Sequence, residues 1–141
     1  MEPLIIEFSE TLDSQIQDLI HQGFAEHMVE QTHLTNQFIP FAFVAKRGAT
    51  FLGAVIGKYF FGGLHIKELF VIKEERGKGL GTKLMHTALA HGKEQSCAFA
   101  WLETFNFQAV EFYKKLGFEV EFIRTGYNGN NSFYYLCKDL R

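Results

Sequence analysis

Arg76-Gly77-Lys78-Gly79-Leu80-Gly81-Thr82 interrupts a chain that is apolar on both sides of it. LHIKELFVI at 64–72 reads as a strand, and Leu80, Leu84 and Ala88 mark one face of a helix running to Gly92. A glycine loop between a strand and a helix start gathers free backbone N–H groups and the positive end of the helix dipole at one point, which suits a phosphate. Glycine lets the backbone approach an anion with no Cβ in the way, and Arg76 and Lys78 add charge. Two common nucleotide motifs fail. The order here is Gly-Thr-Lys where a P-loop needs Gly-Lys-Ser/Thr, and Thr82 or Leu84 stands where G-x-G-x-x-G needs its third glycine. Taken alone, the loop is equally well read as a tight turn.

Working outward, 4–8 (LIIEF) reads as a short strand, and Leu12, Ile16, Leu19, Ile20, Phe24 and Met28 recur at helical spacing. The polar QTHLTNQ at 31–37 reads as a loop or a short irregular helix. Two aromatic-rich runs, 39–46 and 50–60, are spaced like a hairpin. Beyond the glycine loop come a buried strand at 97–103, a helix from about Phe107 to Leu116 closed by Gly117, and strands at 118–124 and 132–138 across the turn YNGNN. The order βαββ, βα, βα, ββ predicts an α/β (α+β) domain: a mixed central sheet of about seven strands flanked by helices. No linker divides the chain, so 1–141 is expected to be a single domain.

Composition narrows the function classes. The 141 residues are 47% hydrophobic and include 16 phenylalanines, enough for one self-sufficient core. Fourteen Lys+Arg against 16 Asp+Glu leave a net charge of -2, so no basic field exists to hold nucleic acid or anionic lipid. No run approaches a membrane span and no basic leader precedes the first apolar residues, which points to a cytoplasmic protein. Cys97 and Cys137 lack CxxC spacing and read as reduced core thiols, and the six histidines show no ligand spacing, so no metal is expected. Aromatic residues such as Trp101 read as core or interface, and exposed members of Tyr59-Phe60-Phe61 could support a homodimer.

The pattern R-x-x-G-x-G, with Val71 five residues before the arginine, resembles the acetyl-CoA-binding motif of the GNAT superfamily of N-acetyltransferases. Asn106-Phe107-Gln108-Ala109-Val110-Glu111-Phe112-Tyr113, followed by Lys-Lys-Leu-Gly-Phe to 118, is similar to the superfamily's second signature, an asparagine and a tyrosine seven apart ahead of Gly-Phe. HIKELFV, ETFNFQAVEFYKKLGF and the tyrosine-rich last strand resemble a bacterial branch of small GNAT proteins. The resemblance is specific from 63 to 118 and loose before 50.

It implies splayed fourth and fifth strands, with acetyl-CoA between them. Pantetheine would meet the main chain of Leu69, Phe70 and Val71, whose side chains read as ordinary core. The pyrophosphate would meet Gly77, Lys78, Gly79, Leu80, Gly81 and Thr82 beside Arg76. Asn106, with Gln108 as the alternative, and Phe112 would complete the coenzyme contacts. Tyr113 falls where many members place the tyrosine that protonates the coenzyme A sulfur, and a phenol of pKa about 10 is a competent donor to a thiolate whose acid is near 8.5.

For the base, His65 stands six residues before Val71, where histone-acetylating members carry a glutamate and serotonin N-acetyltransferases a histidine. An imidazole near pKa 6.5 could take an ammonium proton directly or through water. Strand alternation puts His65, Lys67, Leu69 and Val71 on one face and Ile66, Glu68, Phe70 and Ile72 on the other, making Glu68 an alternative base on the opposite face. Glu103 resembles in position the glutamate of ribosomal-protein acetyltransferases. The implied reaction is direct acetyl transfer in a ternary complex, with no acyl-enzyme. Its rivals are a longer acyl-CoA donor, an inactive acetyl-CoA-binding sensor, and a structural domain without coenzyme. The acceptor would enter past 24–38 and the 125–131 turn, and Glu26, Glu30, Glu103 and Glu121 suggest a cationic small-molecule or peptide amine.

Overall fold

The computed structural model describes residues 1–141, which form two compact units, Met1–Asn36 and Gln37–Arg141. The first unit holds one helix, α1 (Ser14–Thr32). Asp13 caps it by accepting from the Gln15 N–H at 2.7 Å, and His33, in the left-handed region at φ 60°, closes it with its own N–H on the Val29 carbonyl. Residues 4–8, expected as a strand, do not form one. This unit has no other extended segment to supply a ladder, and a lone strand leaves its backbone groups unpaired.

The second unit contains β1 (Ile39–Arg47), β2 (Thr50–Phe60), β3 (Gly63–Val71), α2 (Leu80–Glu94), β4 (Phe99–Phe105), α3 (Val110–Lys115), β5 (Glu119–Tyr127) and β6 (Asn131–Asp139). The sheet has six strands, one fewer than expected because 4–8 is not among them, in the order β1-β2-β3-β4-β6-β5. The expected hairpins form, and β6 inserts between β4 and β5. Only β3 and β4 run parallel. The last helix is shorter than its apolar pattern suggested, because 107–109 forms a turn ahead of Val110.

The core lies on one face of this sheet. Leu84, Met85, Ala88 and Leu89 of α2 bury against Val55, Leu64 and Ile66, and Ala100, Leu102 and Leu136 extend the layer. Each of the fully buried side chains Leu64, Met85, Leu102 and Leu136 contributes roughly 1.5–3 kcal/mol of transfer free energy. β4 alternates rather than being buried throughout: Ala100, Leu102 and Thr104 point into the core, and Trp101 and Glu103 point to the other face. Cys97 is buried as expected, whereas Cys137 is only half-buried because it shares the outer face with Trp101.

A bulge sets the faces of β3. Ile56 pairs with Glu68 and the next residue, Gly57, pairs with Ile66, so Lys67 is extra. Ile56 and Lys58 share a face of β2, so their partners Glu68 and His65 share a face of β3. The simple alternation expected from sequence is therefore wrong past residue 66. Leu69 and Val71 lie with Leu64 and Ile66 toward the core, and Glu68 and Phe70 lie with His65.

Gly57 is required here because a Cβ at that position would run into the His65 carbonyl. Gly57→Ala is expected to destabilise by about 1–3 kcal/mol, the usual range for overpacking. Urea unfolding measures it, and unchanged stability would mean that β2 and β3 are farther apart at the bulge.

Candidate functional site

The site begins where β3 and β4 part. Their parallel ladder lasts for Gly63↔Phe99, Leu64↔Ala100 and His65↔Trp101 and then stops, while β4 continues pairing with β6 as far as Phe105. Beyond His65, the backbone groups of β3 directed at β4 have no ladder partner. This is the splay expected between the fourth and fifth strands, which are the third and fourth strands here.

A cavity of about 720 Å³ opens at this edge, lined by Leu69, Phe70 and Val71 on one side and by Gly77, Gly79, Leu80, Gly81 and Thr82 at the start of α2. Glu75, Arg76, Gln108, Ala109 and Phe112 complete it. Gly77 and Gly79 adopt φ 75° and 87°, conformations that L side chains rarely take, and open space lies where each Cβ would be. Gly79 is the N-cap of α2 and supplies no side-chain cap, so the first N–H groups of the helix remain available to a ligand.

Charges are placed to support an anion. Arg76 donates from Nε to the Val71 carbonyl at 2.9 Å, and its guanidinium lies over the Phe70 ring at 5.7 Å. Phe70, expected as core, is instead on the outer face, stacked on Phe51. Glu75 would oppose an anion, but Arg47 pairs with it at 2.7 Å. That hydrogen bond, aided by nearby cations, holds the Glu75 carboxyl below its ordinary range.

The second signature divides its tasks. Asn106 pins β6: its Oδ1 accepts from the Ser132 N–H at 2.8 Å and its own N–H donates to the Ser132 carbonyl at 2.9 Å. Gln108, not Asn106, lines the cavity. Its Oε1 accepts from the Phe105 N–H at 2.8 Å and from the buried Thr104 hydroxyl at 3.2 Å, which fixes the corner between β4 and α3. Lys78 is likewise outside the lining, while Glu75 and Ala109, not singled out from sequence, are in it. Only their adjacency to the two motifs could have flagged them.

Phe112 presents its ring to the cavity, and Tyr113 turns into the core between Phe112 and Phe118, with 8% of its surface exposed. The Tyr113 hydroxyl makes no hydrogen bond within the chain and is not a sealed atom, so it reaches solvent. Burial raises the phenol above its ordinary 10.0.

On the outer face, His65 Nε2 and Glu103 Oε1 stand 2.7 Å apart, with side chains 16% and 27% exposed. Two residues proposed separately as bases are thus one contact. Glu68 shares their face but is exposed and makes no ion pair. No group of three or more metal-binding side chains occurs, and no helix is long and apolar enough to cross a membrane.

The model of the acetyltransferase (GNAT) family matches residues 8–118. The chain belongs to this family. It is 31% identical to N-alpha-acetyltransferase 30 of Schizosaccharomyces pombe across 94% of the chain and 95% of that protein. It is 32% identical to the blasticidin-S acetyltransferase of Streptomyces morookaense across 62% of the chain and 65% of that enzyme. A 38% identical match to an uncharacterized N-acetyltransferase of Methanocaldococcus jannaschii covers 44% of the chain and only 28% of that protein's length.

Among solved structures, an acetyltransferase from Agrobacterium tumefaciens superimposes with a TM-score of 0.82 at 19% identity, over 96% of this chain and 99% of that one. One from Bacillus anthracis, described as a streptothricin acetyltransferase in complex with acetyl coenzyme A, gives 0.65 at 24% identity over 76% and 66%. These two likenesses show the fold alone, and the family rests on the match over residues 8–118.

Two outcomes test this geometry. Gly79→Ala should cost about 1–2 kcal/mol in denaturant unfolding, the penalty of a left-handed L-residue, and a smaller loss would mean that the turn relaxes. The pH dependence follows from Tyr113. Its folded value lies above its unfolded one, so its contribution to stability is full below about pH 10 and is lost as pH rises through the folded value. Melting curves from about pH 9 to about pH 11 should therefore fall less steeply for Tyr113→Phe than for wild type. Parallel curves would place the phenol in water.

Proposed function

We propose that this GNAT-family chain, acting as one domain over 1–141, is an acetyl-CoA-dependent N-acetyltransferase whose acceptor is a primary amine. The observation that carries the reading is the cavity at the splayed strand edge. A long ligand with amide groups and a pyrophosphate needs unpaired backbone donors and acceptors, followed by an anion cradle, and Leu69–Val71 and Gly77–Thr82 offer them in that order. The family match runs through residues of both units, which supports reading them as one domain.

When bound there, acetyl-CoA supplies an activated acyl thioester. The protein's own residues provide the rest. Leu69, Phe70 and Val71 hold pantetheine through the main chain, and the first N–H groups of α2 with Arg76 hold the pyrophosphate. Gln108 and Phe112 wall the far side. An amine that attacks must first lose a proton, and His65 with Glu103 is the group placed to take it, more so than exposed Glu68. Tyr113, neutral because burial disfavours its phenolate, donates the proton that the leaving sulfur needs. Direct attack is favoured over an acyl-enzyme because burial pushes both thiols up, Cys137 further by nearby Glu121, Asp139 and Glu119, so neither is an activated nucleophile.

Calorimetry with acetyl-CoA, coenzyme A and ATP tests the reading. Binding of acetyl-CoA but not ATP is expected, with acetylation of at least one member of a primary-amine panel. No binding would withdraw the enzyme assignment, and binding without turnover would favour a sensor module. Tyr113→Phe should lower turnover by ~10²-fold while leaving acetyl-CoA affinity unchanged, the signature of a lost general acid.

A further inference from the structure

Trp101 has no role in the chemistry described so far, yet its indole lies 3.8 Å from the imidazole of His65 at an interplanar angle of 11°. The two residues form the last rung of the β3–β4 ladder before the strands part. Glu103 stands two residues farther along β4, on the same face, where no β3 partner remains. His65 reaches across to it with Nε2 at 2.7 Å. Phe60 meets Trp101 edge-on at 6.3 Å, so the indole is braced against a third ring.

We propose that Trp101 is a positioning residue for proton abstraction: stacked on His65 and braced by Phe60, it holds the imidazole plane with Nε2 on Glu103 and leaves Nδ1 as the proton-accepting nitrogen. A carboxylate only accepts hydrogen bonds, so the ring nitrogen facing it carries the hydrogen and the other keeps its lone pair. Nδ1 has no partner within the chain. In the proton transfer, an N–H bond of the acceptor ammonium breaks, the electron pair stays on that nitrogen, and the proton bonds to Nδ1. The resulting imidazolium is paired with Glu103 and lies on the indole face, both favourable to the positive ring. This inference rests on the transferase reading for its purpose, though not for its geometry.

Other charged and titratable groups on this face are Lys58 of β2, opposite His65, Glu68 of β3, Cys137 and Tyr135 of β6, opposite Trp101 and Glu103, and Glu119 and Arg124 of β5, opposite Cys137 and Phe133. Lys58 Nζ lies over Phe38 and Phe60, at 5.9 and 5.8 Å from the ring centroids. Glu103 is the group in contact with the imidazole.

Trp101 is the single tryptophan, which makes the test direct. A ring stacked face to face on the indole changes its fluorescence. Emission of the wild type should therefore differ in intensity from that of His65→Gln at one fixed pH. In ¹⁵N-labelled protein the neutral His65 ring should show Nε2–H alone. Trp101→Phe should keep that pattern, whereas Trp101→Leu should give both tautomers without loss of cooperative melting. Equal emission in wild type and His65→Gln, an Nδ1–H ring in the wild type, or an unchanged ring in Trp101→Leu would overturn the proposal. None of these spectra needs coenzyme or amine, so their failure is separate from a failure to bind acetyl-CoA.

Discussion

The early end of the β3–β4 ladder is the constraint on which the rest of the site depends. Two parallel strands that paired to their ends would satisfy each other's backbone and leave nothing for a ligand. Here pairing stops at His65↔Trp101, and the bulge at Lys67 re-aims the outgoing half of β3. The same divergence leaves Leu69–Val71 paired with β2 alone and leaves Glu103 without a β3 backbone partner, so that the His65 side chain reaches it instead. It also lets the start of α2 and the Gln108–Phe112 segment form the walls of a single cavity.

The cavity and the His65–Glu103 pair lie on opposite sides of the bulge's effect. Leu69 and Val71 turn inward and anchor β3 to the core beneath α2, which keeps the exposed strand edge rigid. His65 and Glu68 turn outward. The open edge is thus held in place by burial of its own side chains, with the Val71 carbonyl taken by Arg76, while the sheet beyond it is pinned elsewhere. Asn106 on Ser132 and Gln108 on Phe105 and Thr104 supply that pinning at the far end of β4.

Much of this was legible in the sequence because it is local. The glycine loop, the strand before it and the helix after it are contiguous, and a left-handed Gly79 at a helix start needs no knowledge of the rest of the chain. Leu69–Val71, most of Gly77–Thr82, Gln108 and Phe112, expected along one ligand, line one cavity. The strand at 4–8 was misread because an apolar run is a strand only if something pairs with it. The faces of β3 were misassigned past residue 66 because a bulge is a property of two strands, and the sequence of one does not announce it.

Periodicity and glycine placement determined by themselves that this chain is a mixed α/β protein with a glycine turn between a strand and a helix. Each of those features is written within a short window of residues. Tertiary structure alone decided that His65 and Glu103, 38 residues apart, are hydrogen-bonded partners, that Trp101 stacks on one of them, and that Glu68 shares their face. Those relations depend on strand order, register and one extra residue in a ladder, which only long-range pairing sets.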